Sequence, residues 1–357
     1  MKKCVLVAVL DWGLGHASRC MPIIRELQDQ NCEIILGGSG SSLELLRREF
    51  PRLEVLSLPG YSPAYPVRGM WMTCKMLVQI PKFVHAIRHE NEAISRFVTN
   101  RRVDLIISDN RFGCYHAKVK SIFITHQLNI IVPAWAAWAG VILNKINHAY
   151  ISKFSSCWIP DDPRSSIAGV LILNGRLPKE IRTEYIGNLS RFIPTQQPER
   201  KYDLVVVLSG PEPQRSILEN LLLPQLEKSR YSFFVVRGLP FEGKQDKANV
   251  VAYLTSADLQ NLIESSEVVI ARSGYSTVMD LLALKKKAIL IPTPGQTEQE
   301  YLAMALKEKK VFYSMNQDVF NLEQAIDELA GYSPVLEKTL NDRTLMRSAI
   351  RKLLGET

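Results

Sequence analysis

A chain of 357 residues with 46% apolar and 22% charged residues is too long for one ordinary core and too apolar for disorder, so two domains are expected. Its formal charge of +8 lies in short groups such as Arg101–Arg102 and Lys285–Lys287, which excludes a nucleic-acid tail. The mild basicity suits an anionic partner: a nucleotide, a polyprenyl phosphate or a phospholipid surface.

The opening "MKKCVLVAVLDWG" reads as a first parallel strand. Its apolar run is short, Asp11 and a glycine turn follow at once, and no small-residue cleavage site of a signal peptide is present. Further strands are expected at "CEIILGG", "LEVLSL", "VDLIISD" and "SIFITH", with helices over Ala17–Gln30, Ser42–Phe50 and Met72–Thr99. Cys20, Ile23, Ile24 and Leu27 share one face of the first helix, which places Pro22 near its first turn. The apolar stretch Asn129–Leu143 is shorter than the ~20 residues of a spanning helix and is broken by Pro133. It reads as a buried loop and helix containing Trp135 and Trp138.

Prolines, glutamines and charges from Gly187 to Asp203 mark a linker. A second alternating series follows: "LVVVLSG", helix Gln214–Glu227, "YSFFVVRG", "ANVVAYL", helix Ala257–Glu264, "EVVIARSG", helix Ser276–Leu284, "KAILIPTP", helix Gln299–Lys307 and "KVFYSM". From Asn321 the chain reads as helical and polar-faced. The expected class is α/β, with two doubly wound Rossmann-like domains facing across a cleft at the carboxyl ends of their strands. The expected boundaries are a domain over 1–186, a linker over 187–202, a second domain over 203–330, and a tail over 331–357 returning to the first domain.

Three stretches carry chemistry. In "GLGHASR", Gly13 and Gly15 allow a sharp turn and a close ligand approach to the amides of the following helix, with His16 at its mouth. A dinucleotide fingerprint would need Gly or Ala at Ser18 and an acidic residue closing the second strand, and neither is present. In "VVIARSGYSTVMDLL", Arg272, Ser273 and Gly274 precede a helix whose first amides suit a diphosphate, and Asp280 lies about two turns in, placed to accept from ribose hydroxyls. The competing reading is a capped helix with a solvent-facing aspartate. In "IPTPGQTEQEYLAMAL", Pro292 and Pro294 stiffen a loop before Gln296, Glu298, Gln299 and Glu300, which offer donors and acceptors to sugar hydroxyls. Cys4, Cys20, Cys32, Cys74, Cys114 and Cys157 form no Cys-x-x-Cys pair and none lies at zinc-finger spacing from a histidine, so a reducing compartment and no structural metal are expected.

Together these stretches resemble the family 28 type of GT-B glycosyltransferases, the group that includes the peptidoglycan N-acetylglucosaminyltransferase and plant galactolipid synthases. "GLGH" stands where that family has its first glycine loop. "THQLN" is similar to its His-Glu-Gln-Asn segment, with Asn129 in the matching place and Gln127 for glutamate. "IGNLSR" supplies Gly187, Asn188 and Arg191 of Gly-Asn-x-x-Arg. "ARSGYSTVMD" supplies Arg272, Ser273, Gly274 and Thr277 of Arg-Ser-Gly-x-x-Thr-x-x-Glu, with Asp280 for glutamate. The Pro-rich loop ends in Gln299 and Glu300 where the family has Gln-Gln. The second glycine loop is reduced to "LSGPEPQR", which leaves Ser209 and Gly210. The likeness covers most of the chain and is strongest over 250–305.

The resemblance implies an inverting, metal-independent transfer of a hexose or N-acetylhexosamine from a nucleotide sugar, usually a UDP-sugar, to a hydroxyl acceptor, with a lipid-linked or cell-envelope glycan as the candidate. It needs no cofactor beyond the nucleotide sugar. The segment around Leu254 would frame the base, Arg191 and the Ser273–Gly274 helix start the diphosphate, Asp280 the ribose, and Gln299 and Glu300 the sugar. Gly13 and Gly15 would face the donor from the other domain. His16 is the leading general base, since an imidazole takes a proton near neutral pH. Asp11 and Asp109, both after apolar strands, stand as base or as His16's orienting partner, and Asp109 also reads as a cap for the next turn. Arg68, Trp71 and Asn129 would face the acceptor, and the aromatic, basic run around Trp71 suits a lipid tail or an anionic membrane. A cytoplasmic protein, peripheral at the inner face of the cell membrane, is the expected setting, with no nucleic-acid partner. Two alternatives stand beside the transferase. One is a nucleotide-sugar hydrolase of the pseudaminic-acid pathway type, suggested by "GHASRC"; the other is a non-catalytic nucleotide-sugar-binding protein.

Overall fold

The computed structural model describes residues 2–172, 179–195, 199–239, 248–335 and 343–355. Among them the first sheet comprises β1 (Cys4–Val9), β2 (Glu33–Gly38), β3 (Glu54–Ser57), β4 (Leu105–Asp109), β5 (Lys120–Ile124), β6 (Ser156–Ile159) and β7 (Thr183–Tyr185). The strands are parallel, in the order β3-β2-β1-β4-β5-β6-β7. The second sheet comprises β8 (Tyr202–Val207), β9 (Phe233–Val236), β10 (Val250–Val251), β11 (Ser266–Ala271), β12 (Lys287–Leu290) and β13 (Tyr313–Ser314). It is also parallel, in the order β10-β9-β8-β11-β12-β13. Central strands such as β1 are buried at every residue, as their unbroken apolar sequence requires.

The covering helices are α1 (Leu14–Asp29), α2 (Gly40–Glu49), α3 (Met72–Val78), α4 (Ile80–Asn100), α5 (Ala137–Ile151), α6 (Gln214–Lys228), α7 (Ser256–Glu264), α8 (Tyr275–Ala283), α9 (Thr297–Glu308), α10 (Leu322–Glu328) and α11 (Thr344–Leu354). Each sheet reverses its strand order at one pair, β1/β4 and β8/β11, and such switch points open a crevice for ligands. The two crevices face each other. Below them one apolar cluster runs from Phe123, Leu128 and Ile159 of the first sheet's side to Tyr275, Val278 and Leu302 of the second.

Several expectations are corrected. The helix over Met72–Thr99 is two helices, α3 and α4, parted at Gln79, and Pro81 sits in the opening turn of α4 where its missing N–H is tolerated. Pro22 is not near a first turn: α1 starts at Leu14, so the proline lies inside it, at a cost of about 3 kcal/mol in an isolated helix. The Asn129–Leu143 segment is not buried; Trp135 and Trp138 are 60% and 66% exposed. The last helix is not polar-faced throughout: α11 sets Met346, Ala349 and Ile350 into the core of the first domain against α1, and Arg347 pairs with Glu26 at 3.0 Å. Strands β6 and β7 carry no expectation from the sequence.

Candidate active site

The register of the first sheet sets Asp109, the last residue of β4, opposite Val9 at the end of β1. The chain turns at Gly13, whose φ of +94° favours glycine, and α1 begins at the next residue. This brings His16, in the first turn of α1, to Asp109 with Nδ1 to Oδ1 at 2.8 Å. Asp109 is fully buried and also accepts from Arg19, from Nε to Oδ2 at 2.7 Å and from Nη2 to Oδ1. Burial would raise its pKa, but the Arg19 guanidinium and His16 outweigh that and hold the carboxyl well below the usual range. An ionised Asp109 accepts only, so the network assigns the His16 proton to Nδ1 and leaves Nε2 with a free lone pair. Arg19 Nη2 lies 2.9 Å from that same Nδ1, two donors converging on one carboxylate oxygen. Asp109 is thus a partner of His16 rather than a cap for the turn that follows it.

Across the cleft, α8 starts after Gly274 with no side-chain cap and no acidic residue in its first turn. The first turn of α1 also lacks an acid. Ser276 Oγ donates to the carbonyl of Gly15 at 2.8 Å, so the two positive helix ends meet. Arg272, two residues before Gly274, is 1% exposed. Its Nη1 donates to the carbonyls of Ile291 (3.2 Å) and Pro292 (3.0 Å), and its Nη2 to Gln214 O (2.9 Å) and Gln317 Oε1 (2.6 Å). Among the described residues no carboxylate pairs with it and its Nε is orphaned; burial pushes its pKa down to about 10. Two uncapped helix N-termini and a buried guanidinium without a counter-ion create a positive throat suited to an anion.

The remaining expected residues fall into three groups. Gly13, Gly15, Ser273, Gly274 and Thr277 border this throat, although Ser273 Oγ is turned inward to the carbonyl of Gln299 at 2.8 Å instead of capping α8. Asp280 does not face water: its oxygens accept from Ser190 Oγ at 2.7 Å and Arg191 Nε at 3.1 Å, and burial raises its pKa. Gln299 is likewise engaged within its own loop, accepting from Thr293 N and donating to Gln296, while exposed Glu300 holds the amide of Gly295 at 2.7 Å. Ser209 and Gly210 follow β8 beside the end of β11, and half-buried Leu254 precedes α7.

Asp11 points away from the dyad and accepts from the amides of Tyr61 at 3.2 Å and Ser62 at 3.5 Å, which fixes the 60–62 turn. Arg68 and Trp71 are exposed. Arg68 helps line a cavity of about 630 Å³ with Trp135, Pro294, Gly295 and Glu300, between the two domains. Asn129 instead borders a separate cavity of about 860 Å³ along α5, with Val132, Asn144, Lys145 and His148. The sequence reading missed Arg19, His126, Tyr275 and Ser276 as site residues. Arg19 had a signal: three residues after His16 it must share that helix face. Its neighbour Cys20 also reaches Asp109, Sγ to Oδ2 at 3.5 Å.

Residues 205–350 match the glycosyltransferase family 28 C-terminal domain. An uncharacterized glycosyltransferase of Methanosarcina mazei is 23% identical over 329 residues, covering 85% of this chain and 83% of the relative. The UDP-N-acetylglucosamine–N-acetylmuramyl-(pentapeptide) pyrophosphoryl-undecaprenol N-acetylglucosamine transferase of Listeria welshimeri is 23% identical over 328 residues, with the same two shares. Among solved structures, MurG of Acinetobacter baumannii superposes with a TM-score of 0.56 at 12% identity, covering 98% of this chain and 99% of that one. SnogD, a glycosyltransferase of Streptomyces nogalater, gives 0.56 at 16% identity, covering 100% and 96%. Among the described residues no helix is long and apolar enough to cross a membrane. With two parallel-sheet domains and a match to the family 28 C-terminal domain over residues 205–350, the chain has the GT-B fold and is a glycosyltransferase.

Proposed function

We propose that the chain transfers a hexose or N-acetylhexosamine from a UDP-sugar to a hydroxyl of a lipid-linked acceptor, with inversion and without a metal ion. The observation that carries this reading is the oriented His16–Asp109 pair set directly against the uncapped start of α8. His16 Nε2 takes the proton of the acceptor hydroxyl as its oxygen attacks the anomeric carbon. The bond from that carbon to the diphosphate oxygen breaks on the opposite face, and the nucleotide departs with the electron pair. The amides of the first turn of α8, its dipole and the buried Arg272 charge favour the leaving diphosphate and supply the positive partners that a metal would otherwise provide. Asp109 keeps the His16 proton on Nδ1 and stabilises the imidazolium that forms.

The lipid-linked acceptor is supported by the surface of the first domain. Met70, Trp71, Trp135, Trp138, Val141 and Ile142 are exposed there; Arg68 lines one cavity with Met70 and Trp135, and Lys145 lines the other with Val141. Aromatic and basic side chains on one face suit an anionic bilayer, with the protein peripheral to it. The deciding experiment is thermal stabilisation by UDP, GDP, TDP and CMP, then by their sugars. UDP at 100 times its dissociation constant adds about 2.7 kcal/mol to stability. A shift with UDP, enlarged by one sugar, supports the reading; no shift with any nucleotide refutes it.

A further inference from the structure

The dyad is not isolated within the first domain. Arg19, which holds Asp109, donates from Nη1 to Nδ1 of His126 at 2.6 Å. An arginine only donates, so His126 Nδ1 accepts and its proton sits on Nε2. Nε2 in turn faces Glu298 Oε1 of the second domain at 2.8 Å. The His126 ring also lies flat on Tyr275, with centroids 4.1 Å apart and planes within 10°. Tyr275 is the first residue of α8 and Glu298 the second of α9. One first-domain imidazole thus touches the helix that would hold the diphosphate and the helix that follows the Pro292–Gln296 loop.

The protonation states agree with this wiring. Burial lowers the pKa of His126, and Arg19 and His16 add to that against the pull of Glu298, so the ring is neutral and keeps its fixed tautomer. Burial alone would raise Glu298, but His126, His16 and Arg19 hold it ionised. The hydrogen bonds therefore run without interruption from Glu298 through His126, Arg19 and Asp109 to His16. Breaking the chain at one bond leaves a buried donor or acceptor unmatched, so its members move together.

We propose that His126 is a positioning residue that couples the seating of α8 and α9 on a nucleotide to the orientation of the His16 base, with Glu298 as its contact on the far side of the cleft. This rests on the donor-site reading above. On this account the base is fully aligned only when the cleft is shut on the nucleotide.

The test uses the full chain labelled with nitrogen-15 at histidine, with UDP as the probe. UDP binding is followed by calorimetry, and the exchange rate of the His16 Nδ1 proton by NMR. In the wild type, UDP slows that exchange at least fivefold. In Glu298→Ala, UDP binds within about twofold of wild type but the slowing at His16 is lost; Glu298→Gln, which retains an acceptor for His126 Nε2, restores it. His126→Phe keeps the stack on Tyr275 and also loses the slowing. Equal slowing in the wild type and Glu298→Ala overturns the coupling alone. A wild type that gives neither UDP binding heat nor a change at His16 overturns the donor-site reading, and the coupling with it.

Discussion

The hydroxyl of Ser276 donates to the carbonyl of Gly15 at 2.8 Å, so the opening turns of two helices from different domains are tied by one bond. A diphosphate on the amides of α8 needs that hydroxyl more than Gly15 does, because a bond to an ionised acceptor is the stronger. Ser276→Ala is expected to lower UDP affinity about fivefold, near 1 kcal/mol. Calorimetric titration checks this, and unchanged affinity places the diphosphate elsewhere.

Removing His16 and removing its partner have different expected consequences. His16→Ala takes away a half-buried ring and is expected to cut turnover by about 10²–10⁴ with UDP affinity kept. Asp109→Asn leaves the buried Arg19 without its anion and costs about 3–5 kcal/mol of stability as well as turnover. Nucleotide release from the donor sugar and urea unfolding of both variants separate the two effects.

Stability carries a proton signature from His126. Its folded pKa is below the unfolded value of about 6.5, so its contribution is complete above that pH and is lost as pH falls toward the folded value. The slope from this one group approaches about 1.4 kcal/mol per pH unit. Asp161 and Asp280, with raised pKa values, act in the opposite sense as pH climbs from near 4, and they are common to wild type and variant. Urea denaturation between pH 7.5 and 5 is expected to show a shallower loss in His126→Gln than in wild type.

Gly69 and Gly295 bring the segment before α3 against the Pro-rich loop. A Cβ on Gly69 would lie 2.6 Å from Pro294, and Gln214 Nε2 holds the adjoining carbonyls of Pro66 and Val67 at 3.0 and 2.9 Å. Gly69→Ala is expected to push this segment off the second domain, at about 1–3 kcal/mol, and to expose it to limited proteolysis. Equal protection in variant and wild type would show that the contact does not close the cleft.

Trp135 and Trp138 are expected to anchor the protein on vesicles. Trp135→Ser/Trp138→Ser is expected to weaken co-sedimentation with anionic phospholipid at least tenfold, and added salt to weaken the wild type through Arg68 and Lys145. Unfolding temperature is expected to change little, because both rings are already in water.

The sheets were legible because most central strands are short apolar runs set between helices and turns. Strands β6 and β7 were not, since "SCWI" and "TEY" are too short to carry a period. Exposure of the Trp135–Ile142 segment could not be read either: composition tells an apolar stretch from a polar one, but not a core from a docking face. At the site, Asp109 stood out as a polar group closing an apolar strand, His16 as a histidine at a glycine turn and Glu298 as one of a polar group before a helix. Their connection through Arg19 and His126 did not, because it is a path across two domains whose steps span 90 to 172 residues of sequence.

The return of α11 to the first domain has a mechanical consequence. The chain leaves the first domain before β8 and is back in it at α11, where Arg343 Nη2, at the start of that helix, donates to the carbonyl of Ser190, ahead of β8, at 3.1 Å. A body held by one cord can swivel in any direction. A second cord limits how far the body can turn before one of the two is drawn tight. The double crossing therefore restricts the relative orientations open to the two domains, which favours return of their facing helix ends to one register.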